Sequence, residues 1–149
     1  MKQMVDVYES YGGPVIAVQK VPRGEISAYG VLDGIPEGDS GRLFRIRDMV
    51  EKPKAEDAPS DLAIIGRYIL TPDIFDELES TPRGAGGEIQ LTDGLRRLKQ
   101  RRTLYGYQFE GVRHDAGNKL GFLKATVEFA LKREDLGGPF RDYLKSLNL

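Results

Sequence analysis

The chain has 149 residues, enough for one domain of ordinary size with a hydrophobic core. Its 22 Lys and Arg against 23 Asp and Glu give a net charge of -1, which excludes a bulk attraction for nucleic acid or an anionic membrane. It has no Cys and no apolar run near the roughly 20 residues that span a bilayer, which excludes disulfides, a Cys nucleophile and transmembrane helices. The opening MKQMVDVYES lacks the apolar core of a secretory signal, so we expect a cytoplasmic protein.

The first third of the chain predicts one helix and three strands. Apolar residues at helical spacing indicate a helix that begins almost at the first residue and is ended by Gly12 and Gly13. Strands are predicted at 15–18, 29–32 and 43–50, with a turn at 33–41. Along the third strand, we expect Phe44 and Ile46 on one face and Arg45 and Arg47 on the other.

The rest of the chain alternates loops, strands and helices. A charged loop is predicted at 51–61 and a strand at 62–70, followed by a helix with Thr71 as N-cap and Ile74, Phe75 and Leu78 on its buried face. After a loop at 81–87, we expect a helix marked by Leu91, Leu95 and Leu98 and a strand marked by Tyr105, Tyr107 and Phe109. The chain then predicts a helix with the apolar stripe Leu120, Leu123, Val127, Ala130 and Leu131, and a last helix with Phe140, Leu144 and Leu147. With no internal repeat and no long linker, residues 1–149 are predicted to form a single α/β unit.

Two segments, one inside a predicted strand and one at the end of another, each allow a functional interpretation and a structural one. Gly30, inside a strand pattern, indicates either a bulge or a close approach of a ligand to the backbone. Glu51 and Lys52 end a strand and precede the rigid Pro53. These two residues form either an exposed ion pair before a turn or a binding site. In such a site, the Glu51 carboxylate accepts hydrogen bonds from sugar hydroxyls and the Lys52 ammonium binds a phosphate.

Two further segments contain glycine beside polar residues. Residues 84–93, GAGGEIQLTD, form either a phosphate-binding loop or a flexible loop followed by a helix capped by Thr92 or Asp93. Asp115, before Gly117, is either a magnesium ligand at a strand end or part of a turn that caps the next helix. His114 is interpreted as a packed or surface histidine, and the basic run at 96–102 as the solvated face of a helix.

The order and spacing of five segments carry a resemblance that no single segment carries. They are Tyr29-Gly30-Val31, Val50-Glu51-Lys52-Pro53, Gly66-Arg67-Tyr68, GGEIQLTD at 86–93 and HDAGNKLG at 114–121. Together they resemble the bacterial UTP–glucose-1-phosphate uridylyltransferases (UDP-glucose pyrophosphorylases) over nearly the whole chain. EIQLTD and HDAGNKLG are the specific motifs, whereas Glu-Lys-Pro is shared more widely among sugar-phosphate nucleotidyltransferases.

The resemblance implies the carboxy-terminal part of a Rossmann-like (GT-A-like) mixed α/β sheet flanked by helices. Residues 1–149 would be the sugar-phosphate-binding half of the enzyme, and the amino-terminal nucleotide-binding half would be absent from this chain. Of the site residues, the backbone of Gly30 would approach the glucose ring and Glu51 would bind glucose hydroxyls. Lys52 would act in catalysis by holding the phosphate, and Asp115 would act as one of two carboxylates on Mg²⁺.

The implied reaction forms UDP-glucose and pyrophosphate from UTP and glucose 1-phosphate, with the isolated chain inactive. The alternatives are an oligomeric binding or assembly module, a fragment that complements a separate amino-terminal half, and a sugar-phosphate sensor. The expected partners are glucose 1-phosphate or UDP-glucose, together with a homo-oligomer or the missing half. Neither nucleic acid nor a membrane is expected as a partner.

Overall fold

The computed structural model describes residues 1–84 and 87–147 of the chain. The fold consists of two compact units, Met1–Phe109 and Glu110–Leu149, each of which is described by itself. The first contains α1 (Lys2–Tyr11), β1 (Val15–Lys20), a 3₁₀ helix (Arg23–Ala28), β2 (Gly30–Glu37), β3 (Leu43–Glu51), β4 (Leu62–Ile69), α2 (Ile74–Glu79), α3 (Leu91–Leu98) and β5 (Tyr105–Gln108). The second contains α4 (Lys119–Lys132) and α5 (Gly137–Ser146).

The strands of the first unit form one mixed sheet in the order β1–β4–β2–β3–β5. Strands β1 and β5 run parallel, and all other neighbours are antiparallel. Apolar side chains of the sheet pack against α2 and α3 in a core that includes Ile16, Val18, Leu32, Ile46, Met49, Ile64, Ile74, Leu95, Leu98 and Leu104. The predicted mixed sheet with flanking helices is therefore confirmed.

A shift in register near the middle of β3 decides which way the end of that strand faces. Asp33 pairs with Asp48, but Gly34 pairs with Ile46, so Arg47 is an extra residue on β3, as in a β-bulge. Because side chains alternate along a strand, one extra residue exchanges the two faces beyond it. Ile46 and Met49 consequently lie in the same core, although three positions separate them, and Val50 is exposed.

Strand β2 extends further than the sequence pattern predicts. The turn predicted at 33–41 is wrong in its first half, because Asp33 to Glu37 pair with β3 and only residues 38–41 turn. Proline has no backbone N–H to donate to a neighbouring strand. Pro36 is tolerated because β2 pairs with β4 at Val31, well before the proline, so the missing N–H removes no hydrogen bond between β2 and β4.

The helices of the first unit differ in detail from the prediction. Helix α2 begins at Ile74 with Asp73 as N-cap, so the assignment of Thr71 is wrong; the Thr71 hydroxyl instead donates a hydrogen bond to the Asp73 carboxylate. Ile74 is buried as predicted, whereas the side chain of Phe75 is 67% exposed. The N-cap of α3 is Gln90, and neither Thr92 nor Asp93 caps this helix.

In the second unit, a turn leads into two helices. Asn118 caps α4 by accepting a hydrogen bond from the Gly121 amide at 2.7 Å. The predicted buried stripe is wrong at its amino-terminal end, because Leu120 and Leu123 are exposed in the folded chain. Across the described parts of both units, no helix is long and apolar enough to cross a membrane.

Candidate functional site

The end of β3 brings three of the predicted site residues together. Gly30, the first residue of β2, is the register partner of Glu51, the last residue of β3. The backbone amide of Lys52 donates to the Tyr29 carbonyl at 3.0 Å and continues the pairing by one residue. Gly30, Glu51 and Lys52 are therefore neighbours because the two strands pair here, although about 20 positions separate them in the sequence.

Lys52 has a backbone conformation that is unusual for a residue with a side chain. Its φ is 44°, and no other non-glycine residue in the described ranges has a positive φ. This left-handed conformation costs a non-glycine residue on the order of 1 kcal/mol. The side chain is exposed, and its ammonium group has no ion-pair partner among the described residues. The strained backbone thus presents a cation that no described acidic side chain neutralises.

Glu51 is held by a residue whose role the sequence analysis missed. The hydroxyl of Thr92, in the first turn of α3, donates to Oε2 of Glu51 at 2.6 Å, and Thr92 is only 5% exposed. A Cβ added to Gly30 would lie 3.0 Å from Oε2 of Glu51 and 3.2 Å from Oγ1 of Thr92. The sequence signal for Thr92 was its position before an apolar helix, which favours a cap over a contact with a distant carboxylate.

Tyr68, on β4, experiences the charge of the same carboxylate. Burial of the phenol raises the pKa of Tyr68, and the negative charge of Glu51 raises it further. Tyr68 is therefore neutral at physiological pH and can serve as a hydrogen-bond donor beside the site. It belongs to the Gly66-Arg67-Tyr68 segment of the resemblance, where no role was assigned to it.

A cleft of about 590 Å³ opens at this strand end. It is lined by Met49, Val50, Glu51, Lys52, Glu88, Gln90, Asp93 and Arg96. Arg96 donates hydrogen bonds from Nε and Nη2 to the two carboxylate oxygens of Asp48, each at 2.7 Å. Lys52 is therefore the cation of the cleft without an acidic partner in the described chain. The cleft is large enough for a hexose phosphate and contains both acceptor and cationic groups.

Three residues of the segment at 84–93 line the same cleft. Glu88, Gln90 and Asp93 line it, and the Gly84 amide donates to the Glu88 carbonyl at 2.9 Å. Ala85 and Gly86, which belong to the predicted glycine-rich stretch, lie outside the described residues.

Asp115 lies in the second unit, in the turn before α4. Its Oδ1 accepts a hydrogen bond from the Gly117 amide at 2.9 Å, while the other carboxylate oxygen has no partner in the described part of the chain. Magnesium typically takes one or two carboxylates and completes its shell with water and substrate phosphates. One exposed carboxylate fits such a partial contribution. Within the described residues, no group of three or more His, Cys, Asp or Glu could form a metal site of its own.

His114 and the basic run are engaged in local contacts. Nε2 of His114 lies 3.7 Å from a carboxylate oxygen of Glu128, and its ring packs against Phe129 with centroids 5.2 Å apart. Arg97 and Arg101 contact Glu77, and Arg102 contacts Asp73. The predicted solvated face is confirmed, since the arginines of the run are exposed while Leu95 and Leu98 are buried.

Comparisons with known proteins agree with the resemblance inferred from the motifs. The sequence profile of the family described as nucleotidyl transferase matches residues 1–132. A UTP–glucose-1-phosphate uridylyltransferase of Staphylococcus epidermidis is 48% identical over all 149 residues, which cover 51% of that protein. The corresponding protein of Staphylococcus haemolyticus is 48% identical over 99% of this chain and 50% of its own length. The chain thus spans about half the length of the curated relatives it matches.

Solved structures show the same fold. The crystal structure of a UDP-glucose pyrophosphorylase complexed with UDP-glucose superposes with a TM-score of 0.81 at 45% identity, covering 89% of this chain and 49% of that one. A UTP-bound enzyme from Acinetobacter baumannii reaches a TM-score of 0.84 at 35% identity, over 97% of this chain and 49% of that one. The predicted nucleotidyltransferase fold is therefore confirmed, and the chain belongs to the nucleotidyl transferase family.

Proposed function

We propose that this chain supplies the sugar-phosphate side of a UTP–glucose-1-phosphate uridylyltransferase. The observation that carries the proposal is that Glu51 and Lys52 line the same cleft side by side, although the ammonium group of Lys52 has no acidic partner among the described residues and its backbone is strained. A strained backbone at a ligand cleft is typical of a functional position. The names of the relatives, uridylyltransferases at 48% identity, support this class of substrate.

Adjacent acidic and basic groups match the two ends of one ligand. The carboxylate of Glu51 accepts hydrogen bonds from glucose hydroxyls, and the ammonium of Lys52 holds the phosphate as a point charge. Gly30 lies against both Glu51 and Thr92, and without a side chain it lets the sugar ring approach the β2 backbone. The cleft thereby orients glucose 1-phosphate with its phosphate near Lys52.

Asp115 would contribute one carboxylate to a magnesium ion. Such an ion neutralises phosphate charge and aligns the reacting phosphates when it is bound. Asp115 already has one oxygen occupied by the Gly117 amide, which orients the other. Its turn fixes the direction of this second oxygen, and we assign this residue no further role.

In the proposed reaction, a phosphate oxygen of glucose 1-phosphate attacks the α-phosphorus of UTP. The new P–O bond gives UDP-glucose as the bond to the leaving pyrophosphate breaks, and no protein nucleophile is needed. We assign the contacts to the base and the triphosphate to residues outside this chain, so the chain alone does not turn over. We place the whole enzyme in the cytoplasm.

The first test combines an activity assay with a binding measurement. Purified chain is mixed with UTP, glucose 1-phosphate and magnesium, and pyrophosphate release is followed; separately, glucose 1-phosphate is titrated while amide NMR signals are recorded. We expect no turnover but weak binding, with shifts centred on Gly30 and Lys52, because half a site must still offset the entropy of association. Glu51→Gln should weaken binding, whereas Glu134→Gln in the second unit should not. Turnover by the chain, or binding unaffected by Glu51→Gln, would contradict the proposal.

A second candidate function is an assembly module. Four large apolar side chains of α4 are between 58% and 62% exposed, namely Leu120, Phe122, Leu123 and Phe129. Exposed apolar side chains concentrated on one helix favour association with another protein surface. The surface that covers α4 would be either a second copy of this chain or the part of the enzyme that binds the nucleotide.

A further inference from the structure

The hydroxyl of Thr92 donates a hydrogen bond to the side chain of Glu51 and does not cap helix α3. Thr92 is the second residue of α3, two residues after the N-cap position from which threonine often stabilises a helix. Here the N-cap is Gln90, and no side chain caps the helix by a hydrogen bond. Within the described ranges of the chain, the Thr92 hydroxyl makes one hydrogen bond, which it donates to Oε2 of Glu51, 41 positions away in the sequence. Helix formation therefore does not explain why a hydroxyl is placed at this position.

Burial makes this hydrogen bond consequential for the carboxylate. Thr92 is 5% exposed, so water does not readily replace its hydroxyl if the hydroxyl is removed. At 2.6 Å, the contact has the length of a charge-assisted O–H···O⁻ bond, which is stronger and more directional than a bond between neutral groups. Oε2 is thereby fixed, while Oε1 of Glu51 has no hydrogen-bond partner in the described parts of the chain.

The space around this contact is limited by Gly30. A Cβ at residue 30 would lie 3.0 Å from Oε2 of Glu51 and 3.2 Å from Oγ1 of Thr92, both tighter than most Cβ contacts. Gly30 therefore allows the carboxylate and the hydroxyl to meet beside the β2 backbone. The three residues form one closely packed group whose geometry depends on each member.

We propose that Thr92 is a positioning residue that orients Glu51 for recognition of the sugar hydroxyls, with Oε2 bound to Thr92 and Oε1 directed to the ligand. The proposal rests on the proposed function and adds a residue that determines specificity for the sugar rather than for the phosphate. Phosphate binding is assigned to Lys52, whereas the Thr92 hydroxyl donates its hydrogen bond to Glu51. Loss of the hydroxyl is expected to affect recognition of the sugar and to leave recognition of the phosphate unchanged.

The test compares two ligands across three variants of the full chain. Dissociation constants for glucose 1-phosphate and for inorganic phosphate are measured by NMR titration for wild type, Thr92→Val, Thr92→Ser and the control Thr126→Val on α4. We expect Thr92→Val to weaken glucose 1-phosphate binding about tenfold, the loss of one hydrogen bond to a charged group, with the phosphate constant unchanged. Thr92→Ser should restore wild-type binding because it keeps the hydroxyl, and Thr126→Val should have no effect. Equal weakening of both ligands, or a Thr92→Ser variant as weak as Thr92→Val, would overturn the proposal.

A ligand-independent measurement separates this proposal from the proposed function. Crystal structures of wild type and Thr92→Val show whether the Glu51 carboxylate keeps its place beside Gly30. A displaced carboxylate supports the positioning role even if the wild-type chain binds no glucose 1-phosphate, a result that would refute only the proposed function. An unmoved carboxylate overturns the positioning role whatever the chain binds. If Thr92→Val does not fold, the crystal structure of Thr92→Ser is the test. In that variant the Glu51 carboxylate must superpose on its wild-type position, and a displaced carboxylate would overturn the positioning role.

Discussion

Lys52 combines a left-handed backbone with an ammonium group that has no ion-pair partner among the described residues. The two features follow from the turn at which β3 ends: the Lys52 amide completes the pairing with Tyr29, and Pro53, which is buried, fixes the chain direction immediately afterwards. A glycine would adopt this φ without strain. That a lysine stands here indicates that its side chain is needed, which agrees with the proposed phosphate contact.

Two substitutions of Lys52 separate backbone strain from ligand binding. Lys52→Gly removes the ammonium and relieves the strain, whereas Lys52→Ala removes the ammonium and keeps the strain. We expect both variants to lose glucose 1-phosphate binding, because both lack the ammonium group. The free energy of unfolding of Lys52→Gly should exceed that of Lys52→Ala by about 1 kcal/mol, because a positive φ strains alanine but not glycine. Urea denaturation and NMR titration of the two variants measure this. Equal stabilities would show that the backbone at Lys52 is unstrained.

At the scale of elements, the site depends on how α3 is attached to β3. Thr92 and Arg96 are one helical turn apart and bind Glu51 and Asp48, while Lys99, just beyond the helix, donates to the carbonyl of the bulged residue Arg47 at 2.6 Å. Both ends of the helix are therefore bound to the strand that carries the candidate site. The bulge itself brings Glu51 onto the face that α3 covers.

The Asp48–Arg96 pair gives this attachment a dependence on pH. Partial burial raises the pKa of Asp48. Hydrogen bonds from the Arg96 guanidinium and the Met49 amide, together with the charges of Arg96 and Lys99, lower this pKa by more than burial raises it, so it lies below the usual value. A depressed carboxyl pKa stabilises the fold above the unfolded-state pKa, and this contribution is lost as the pH falls through the folded-state value. Both side chains are partly exposed, so solvent screening limits the contribution to about 0.5 kcal/mol.

Asp48→Asn tests this pair. The difference in the free energy of unfolding between wild type and Asp48→Asn should be about 0.5 kcal/mol at neutral pH. It should shrink as the pH falls through the lowered folded-state pKa of Asp48, because wild-type Asp48 then becomes protonated. Asp142→Asn, which removes an exposed carboxylate of α5 that forms no ion pair with any residue the structure describes, should show no such difference. Denaturation curves at several pH values measure both. A difference that is constant with pH would argue against the ion pair.

At the scale of the whole molecule, the predicted site residues are divided between two units. Gly30, Glu51 and Lys52 belong to Met1–Phe109, and Asp115 belongs to Glu110–Leu149. The residues proposed to bind the sugar phosphate therefore all belong to the first unit, whereas the proposed metal ligand belongs to the second. Exposed apolar side chains on α4 distinguish the second unit and motivate the assembly candidate.

Leu123→Lys tests whether α4 is an association surface. We expect the wild-type chain to associate as its concentration rises, and Leu123→Lys to remain monomeric, because a buried, unpaired ammonium is costly in an apolar contact. Thr126→Lys adds the same charge at a nearby exposed position of α4, outside the apolar set, and should associate more readily than Leu123→Lys. Sedimentation velocity over a range of concentrations measures the association. Monomeric wild-type chain at every concentration would exclude a homo-oligomer formed through α4.

The sequence by itself determined the elements whose signals are local, such as the helix ended by Gly12, the doubly buried strand at Val15 and the Glu-Lys-Pro segment at a strand end. Spacing of the motifs also determined the family. Only the tertiary structure decided features that depend on partners far along the chain. The pairing of β2 with β3 turned a predicted loop into strand, and the extra residue at Arg47 reversed the side-chain alternation so that Met49 is buried and Val50 exposed. Thr92 became a partner of Glu51 rather than a cap because α3 packs over the end of β3, a contact that periodicity within either segment does not contain.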